Sequence, residues 1–527
     1  MNDQSHQILS PRIKRIESSP FFRALSISFM LTVLFHLLSK NNGIVLSDEG
    51  HVWYGAVATF EGQVPLRDFQ SYDPGRYYWC AAWFHFFGKG IGALRLATSI
   101  FQGVGVFFGL LITTRLFRSW AALLGAGLLF TVWMTPRYWM FEHGLVLIEV
   151  YSALLIMEKP SLRRHFIAGV IVGLVAFWGR NHGLYSFLGC LIPLGWLWRR
   201  DGWNSFAKRG TCWGVGIIAG YSPMLLMIAF IPEYWDAFWY SVLSMAKHNN
   251  VELPVPWPWT IHFSSRKRLY SLYEIVGGGV FIAAPLLFLY VIISSYLLPW
   301  RETPRWRVML ASASIGIFEL HHAYSCANMA HLAAAIHPFL LSMVGLCSIR
   351  YSEKPNKHAF RTTLGCCVIL AIAGLPGNLK YFRIIRPHKY VRYEISDKKI
   401  WTGKRGRDFI ECCKKLDREM FEKNEEILIM PYYPSLYLLM DKRSPVWQIY
   451  FGLPVSEEKQ TELIKAMEKK RVRWIIYGHV SGSGRDENKV PNTHPLFWGY
   501  ISQNYEKVVA DCLPENHQLL RLKEPRD

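Results

Sequence analysis

The stretch GGGVFIAAPLLFLYVIISSYLL, Gly277 to Leu298, decides the class of the protein. It runs 22 residues without a charged side chain. At 1.5 Å per residue a helix of that length reaches ~33 Å, enough for the ~30 Å of hydrocarbon in a bilayer. A soluble helix would interrupt its apolar residues with a polar face, and none is present. Similar blocks recur elsewhere, as in GVIVGLVAFW, GVGIIAGYSPMLLMIAFI and VMLASASIGIFEL. The whole chain is 51% hydrophobic and only 19% charged, with 21 Trp, a balance suited to many spans rather than one. It reads as a polytopic α-helical membrane protein.

Working outward, we expect about eleven transmembrane helices, near Ala24–Ser39, Ala93–Phe117, Trp120–Met134, Gly144–Met157, Phe166–Trp178, Leu184–Trp198, Thr211–Ile231, Ile275–Leu298, Val308–Tyr324, Ala330–Ile349 and Thr362–Asn378. SPRIKRIESSPFFRA reads as a basic flank ahead of a retained first span, not as a cleaved signal. The net charge is +20, from 59 basic and 39 acidic residues. The basic residues gather at alternate junctions: Arg115 and Arg118, Arg163 and Arg164, WRRDGWNSFAKRG, WRETPRWR and IRYSEKPNKHAFR. That is the positive-inside pattern. They form no continuous basic face, so nucleic acid is not expected as a partner. The pattern puts the N-terminus in the cytoplasm and the long first loop, residues 40–92, outside the cell (inner) membrane.

The transmembrane domain should occupy residues 1–379, and 380–527 should form a small external, periplasmic α/β domain. In that tail EILIM and RWIIYG read as buried strands, SEEKQTELIKAMEKK as an amphipathic helix and EKVVADCLPENHQLLRLK as a closing hairpin-like pair. Ten Cys are scattered without zinc-site spacing; Cys412 or Cys413 could bridge to Cys512, and the sequence does not choose between them. No Gly-rich phosphate loop and no GxSxG is present.

The first loop carries the densest polar chemistry. LSDEGHVWY places Asp48 and Glu49 side by side just after the first span. They could cap the following helix, as acids do at N-termini. The loop then continues with GQVPLRDFQSYDPGRYYW, too polar and aromatic for a plain connector.

The run of Asp48, Glu49, Tyr54 and GQVPLRDFQSYDPGRYYW resembles the first external loop of GT-C fold glycosyltransferases. The similar branch contains the protein O-mannosyltransferases, aminoarabinose transferases and rhizobial lipopolysaccharide-core transferases. FWGRNHGLY resembles that family's Arg-containing external turn and NMAHLAAAIHPFLL its late His segment, although Asn328 stands where the family has an acid. The resemblance implies transfer of a sugar from a polyprenyl-phosphate donor to an acceptor hydroxyl on the outer face. The acceptor would be a glycolipid such as lipopolysaccharide, a polysaccharide or a protein, with membrane lipids around the enzyme. Asp48 matches the family's base, and Glu49 would orient the loop or help hold an acceptor or metal.

Such a transfer passes through an oxocarbenium-like transition state while phosphate leaves, so a base and a cationic clamp are both needed. For the clamp we single out Arg180, with His331, Arg266 and Lys267 as further phosphate partners. Arg180 could equally snorkel to the interface, and Arg266 and Lys267 could face solvent or lipid head groups. For acceptor or sugar we name Tyr54, Asp73, Arg76, Arg137, Glu142 and His143. Glu142 and His143, with Arg137 in RYWMFEHG, form a cluster that could hold an acceptor or a divalent metal ion, though two ligand residues do not make a metal site. Tyr72, Tyr77, Tyr78 and Trp79 suit an interfacial belt or sugar stacking. A lipid-sugar flippase or an O-antigen-ligase-like glycan transferase would share the many spans. A flippase should show ionisable or helix-breaking residues in the middle of several spans, and here the polar residues gather on one side.

Overall fold

The computed structural model describes residues 19–524 apart from 139, 249–252, 262, 264–267, 299–301, 353–355, 380–389, 396–397, 423–424 and 481–484. Each of the eleven apolar segments is helical. They are α1 (Pro20–Ser39), α4 (Ile91–Thr113), α5 (Trp120–Trp133), α6 (Glu142–Glu158), α7 (Leu162–Trp178), α8 (Arg180–Asp201), α9 (Trp203–Phe230), α11 (Arg268–Leu297), α12 (Pro304–Ser325), the pair α13 (Met329–Ala335) and α14 (His337–Ser352), and α15 (Lys357–Leu379). Five of these are single helices long and apolar enough to cross a membrane, and the α13–α14 pair, bent by 55°, makes a sixth. The bend falls just before His337-Pro338, where proline disfavours a helical residue ahead of it. Three shorter helices lie between spans: α2 (Asp48–Phe60) and α3 (Gly75–Phe87) in the first long loop, and α10 (Tyr234–His248).

Lipid-facing helices should show apolar residues outward. Phe29, Leu37, Ile218, Phe230, Leu286 and Leu297 are all exposed, whereas small residues line the helix contacts. At one end of the bundle Arg115 and Arg164 both pair with Glu158. The other end carries the first long loop and the C-terminal domain.

That domain opens with the hairpin β1 (Tyr390–Ile395) and β2 (Lys398–Gly403). A four-stranded sheet follows, in the order β3 (Ile427–Met430), β4 (Trp474–Gly478), β6 (His517–Leu522), β5 (Tyr505–Val508). β3 and β4 are parallel and fully buried, as their unbroken apolar sequences require, while β5 and β6 close the sheet antiparallel. The crossover between the parallel strands contains the amphipathic helix Glu457–Lys469. Cys412 is bonded to Cys512, and Cys413 is a buried free thiol.

The C-terminal domain is stitched to the first loop by main-chain hydrogen bonds. Gly43 N donates to Trp401 O (2.6 Å) and Trp401 N to Asn41 O (2.7 Å). The Gln70 side-chain oxygen accepts from Ile449 N (3.1 Å) and Tyr450 N (2.8 Å), and Trp447 Nε1 donates to Leu66 O (2.9 Å). Gly50 permits the closest approach: a Cβ there would stand 2.3 Å from Ser435 Oγ and 2.6 Å from its backbone nitrogen. Only glycine lets the short helix Pro434–Leu439 rest on α2.

Candidate active site

Asp48 and Glu49 start α2 together and do different things. Glu49 is 1% exposed and takes a two-point ion pair from Arg95, Nε to Oε1 at 2.6 Å and an NH2 bond to Oε2 at 3.0 Å. It also accepts from Val45 N at 3.1 Å. Arg95 spends its other donors on Lys40 O (2.8 Å) and Gly43 O (2.6 Å), so the pair pins the turn that leads into α2. Both Glu49 oxygens are thus engaged inside the protein, in contacts that hold the turn into α2.

Asp48 is only partly buried and points to the seam under the C-terminal domain. Its carboxylate accepts hydrogen bonds from the hydroxyls of Tyr432 and Ser47. Burial raises its pKa above the ordinary aspartate value despite these bonds. Tyr450 packs against Tyr432, ring centres 4.3 Å apart and tilted by 42°, and burial reinforced by the nearby Asp48 charge pushes its phenol up to about 12. His51, one turn along α2, packs against Tyr72 (4.8 Å) and Tyr432 (5.9 Å). Neither of its ring nitrogens has a hydrogen-bond partner among the described residues, and burial, helped by the Arg76 charge, pushes it down to about 3. It is a neutral imidazole at any physiological pH.

Beyond these aromatics stand two arginines, each held by an acid from another element. Arg180 Nε lies 2.5 Å from Asp73 Oδ1, and Asp73 Oδ2 accepts from the backbone nitrogen of Arg180 at 2.9 Å. Asp73 thus uses one oxygen on the first backbone N–H of α8 and the other on that residue's guanidinium. Arg180 NH2 donates to Ser241 Oγ (2.6 Å), and NH1 is buried with no hydrogen-bond partner among the described residues. Arg76 donates to Glu142 Oε1 (3.1 Å) and Trp178 O (3.0 Å), and its guanidinium lies 4.7 Å from the centre of the Tyr72 ring. Tyr72 itself is 44% exposed, so this face of the site is open.

His331 sits at the first turn of α13. Asn328 caps that helix, its side-chain oxygen accepting from Ala330 N (2.9 Å), His331 N (3.0 Å) and His331 Nδ1 (3.1 Å). An oxygen holding two backbone donors can only accept from the ring, so Nδ1 carries the proton and Nε2 is the free lone pair. The His331 ring is 5.1 Å from His322, which is 5.1 Å from His182. His321 turns away to the Tyr185 hydroxyl (2.7 Å).

Three expected site residues, Tyr54, Arg137 and His143, do not gather here. Tyr54 is buried and its hydroxyl accepts from Ser444 N (3.1 Å), so it joins the C-terminal domain to the loop and has no face for a sugar. The cluster expected of Arg137, Glu142 and His143 is not formed. Successive helical residues point about 100° apart, and while Glu142 meets Arg76, His143 Nε2 turns to Thr135 O (3.2 Å). Arg137 lies over the Phe35 ring (4.5 Å) and donates to Thr131 O (2.9 Å). Arg266 and Lys267 lie outside the described residues; Arg268 opens α11. Sequence reading missed Tyr432, Tyr450, His51 and Arg95. PYYPSLY marked a helix start by its second proline, but nothing local told its first tyrosine from an ordinary core aromatic.

Fold and site together define a bundle of membrane-length helices whose first loop and C-terminal α/β domain enclose an aspartate, three tyrosines and two acid-held arginines. No protein-family model and no curated protein matches the chain. Among solved structures it is similar to ArnT from Cupriavidus metallidurans, both bound to undecaprenyl phosphate (TM-score 0.47) and in the apo state (TM-score 0.48). Identity is 11% in each case, over 94% of this chain and 97% of that one. It is also similar to the oligosaccharyltransferase AglB from Archaeoglobus fulgidus in complex with an inhibitory peptide and a dolichol-phosphate, at TM-score 0.36 and 9% identity, over 86% of this chain and 69% of AglB. At such scores the roles of individual residues rest on the contacts above.

Proposed function

We propose that the protein is an integral-membrane glycosyltransferase of GT-C type that moves a sugar from a polyprenyl-phosphate donor to an acceptor hydroxyl, with Asp48 as the base. The observation that carries this reading is the placing of Asp48. A carboxylate whose pKa is raised by burial is a stronger base than an ordinary one, and it faces an open seam rather than the protein core. The acceptor hydroxyl enters between Tyr72 and Tyr450 and gives its proton to Asp48 as the anomeric carbon is attacked. The bond from that carbon to the phosphate oxygen breaks, and the departing phosphate gains negative charge. Arg180, with its unused NH1, and Arg76 receive that charge. Asp73 and Glu142 hold the two guanidiniums before the donor arrives, so little reorganisation is needed during the reaction.

Two features support an outward-facing site. The Cys412–Cys512 bond belongs in an oxidising compartment, and the paired Arg115 and Arg164 occupy the opposite end of the bundle, as cytoplasmic residues do. The acceptor class proposed is an envelope glycolipid.

The test is to incubate purified protein with polyprenyl-phosphate sugars labelled in the sugar, together with envelope glycolipid, and to follow release of unlabelled lipid phosphate. Transfer of label with stoichiometric release of lipid phosphate is expected. Movement of intact lipid-linked sugar across a vesicle bilayer, with no bond broken, would make the protein a transporter instead.

A further inference from the structure

Below the site, three ionisable side chains from three helices meet inside the bundle: Glu149 of α6, His182 of α8 and Glu319 of α12. Glu149 and Glu319 are 0% exposed. Glu149 lies seven residues into α6 from Glu142, which at 1.5 Å per residue is ~10 Å down the helix. A carboxylate at that depth is costly unless something compensates its charge. His182 Nδ1 faces both acids, at 2.9 Å from Glu319 Oε1 and 3.8 Å from Glu149 Oε1. Among the described residues no Lys or Arg forms an ion pair with either carboxylate. The two carboxyls lie within hydrogen-bonding reach of each other, and among the described residues neither Glu149 oxygen nor Glu319 Oε2 accepts a hydrogen bond from any other group. One imidazole cannot neutralise two ionised carboxylates, so the pair must either share a proton or hold a cation.

We infer that Glu149, His182 and Glu319 form a binding site for a divalent first-row cation, Zn²⁺ or Mn²⁺. Two carboxylates match the charge of the ion, and the imidazole adds a nitrogen ligand that these metals take readily. One candidate ligand atom from each residue lies within 4.8 Å of the others. In a tetrahedral zinc site with bonds of about 2.0 Å, ligand atoms stand ~3.3 Å apart. The two distances to His182 Nδ1 bracket that value. Calcium and magnesium fit poorly, because they ask for six or more oxygen ligands or retained waters. A bound ion would tie α6, α8 and α12 together beneath the Arg76–Glu142 pair and fix His182 next to His322. The inference does not rest on the transferase reading, since metal content is measured on the protein itself.

Tag-free full-length protein in detergent is stripped with chelator, incubated with ZnCl₂, desalted and assayed by mass spectrometry for metal. The wild type should retain about one zinc per chain, as a three-ligand site does. Because loss of outer-shell partners alone costs about 10–100-fold in metal affinity, Glu149→Gln and Glu319→Gln should each weaken zinc binding by at least ~100-fold. X-ray absorption at the zinc edge of the wild type, which needs no variant to fold, should show nitrogen and oxygen ligands with an imidazole signature and no sulfur. Wild-type protein with no zinc above the buffer blank, sulfur in the ligand shell, or folded variants that bind as tightly as wild type would overturn the site. The first of these results would mean that the three groups only share protons.

Discussion

Glu49→Gln separates holding from chemistry. The glutamine keeps the shape of the side chain but removes the Glu49 charge that pairs with Arg95 at 1% exposure. Removing one member of a buried ion pair typically costs about 3–5 kcal/mol. Arg95 would still donate to Lys40 O and Gly43 O and lie 4.5 Å from the centre of the Tyr138 ring, so the lower part of that range, ~3 kcal/mol, applies. Arg95→Met is the harsher change. It strands Glu49 with a single backbone donor, Val45 N, and deprives two carbonyls of their partner, which points to ~5 kcal/mol. The double variant should recover part of the loss, because deleting both charges removes the stranded one. The assay is thermal unfolding of the four proteins in one detergent, with donor binding measured well below the transition. Glu49→Gln should melt early yet retain donor binding and turnover within about 10-fold of wild type, less than the loss of a catalytic acid or base. Wild-type melting with abolished turnover would refute this assignment and return Glu49 to the chemistry.

Arg180→Ala should weaken binding of the polyprenyl-phosphate donor by about 10–100-fold, the worth of a lost charge-assisted hydrogen bond, and Arg180→Lys should restore only part of it; calorimetry or tryptophan quenching reads the affinity. Tyr432→Phe removes a hydrogen bond that favours ionised Asp48, while the burial that raises its pKa remains. Since the base must be ionised, activity rises as pH climbs through that pKa, and the acid limb of the pH–rate profile should move to higher pH in the variant, with near wild-type rates well above it. Replacing Cys412 and Cys512 by Ala opens a link between residues 100 apart and should destabilise the C-terminal domain by about 2–4 kcal/mol, read by limited proteolysis of the tail.

The helices were legible because a membrane span states itself locally: every apolar block that marked one is helical. The strands Ile427–Met430 and Trp474–Gly478 were legible for the same reason, each being a short apolar run bounded by polar residues. Pairings were not legible. Asp73 and Arg180, or Arg76 and Glu142, could be named singly, but nothing in either stretch says that it meets the other. The phenols around Asp48 were hidden more deeply, since Tyr432 and Tyr450 reach it only when a separately folded domain docks on the first loop. Glu149 and Glu319 did carry a signal. Each is a lone acid within an apolar run, IEVY and FELH, and the cost of burying such a charge marks it for function or pairing. With His182 they also qualify the expectation that the polar residues gather on one side, since these three are buried together inside the bundle.

The central claim is that Asp48 takes the acceptor's proton, and Asp48→Asn tests it most directly. Asparagine keeps the shape and can still accept a hydrogen bond from Tyr432, but it cannot accept the proton. Donor binding, held by the arginines, should stay near wild type while sugar transfer falls by about 10²-fold to 10⁴-fold. A folded Asp48→Asn protein that binds donor and transfers sugar at the wild-type rate would contradict the account, leaving Asp48 as a residue of the first turn of α2 and nothing more.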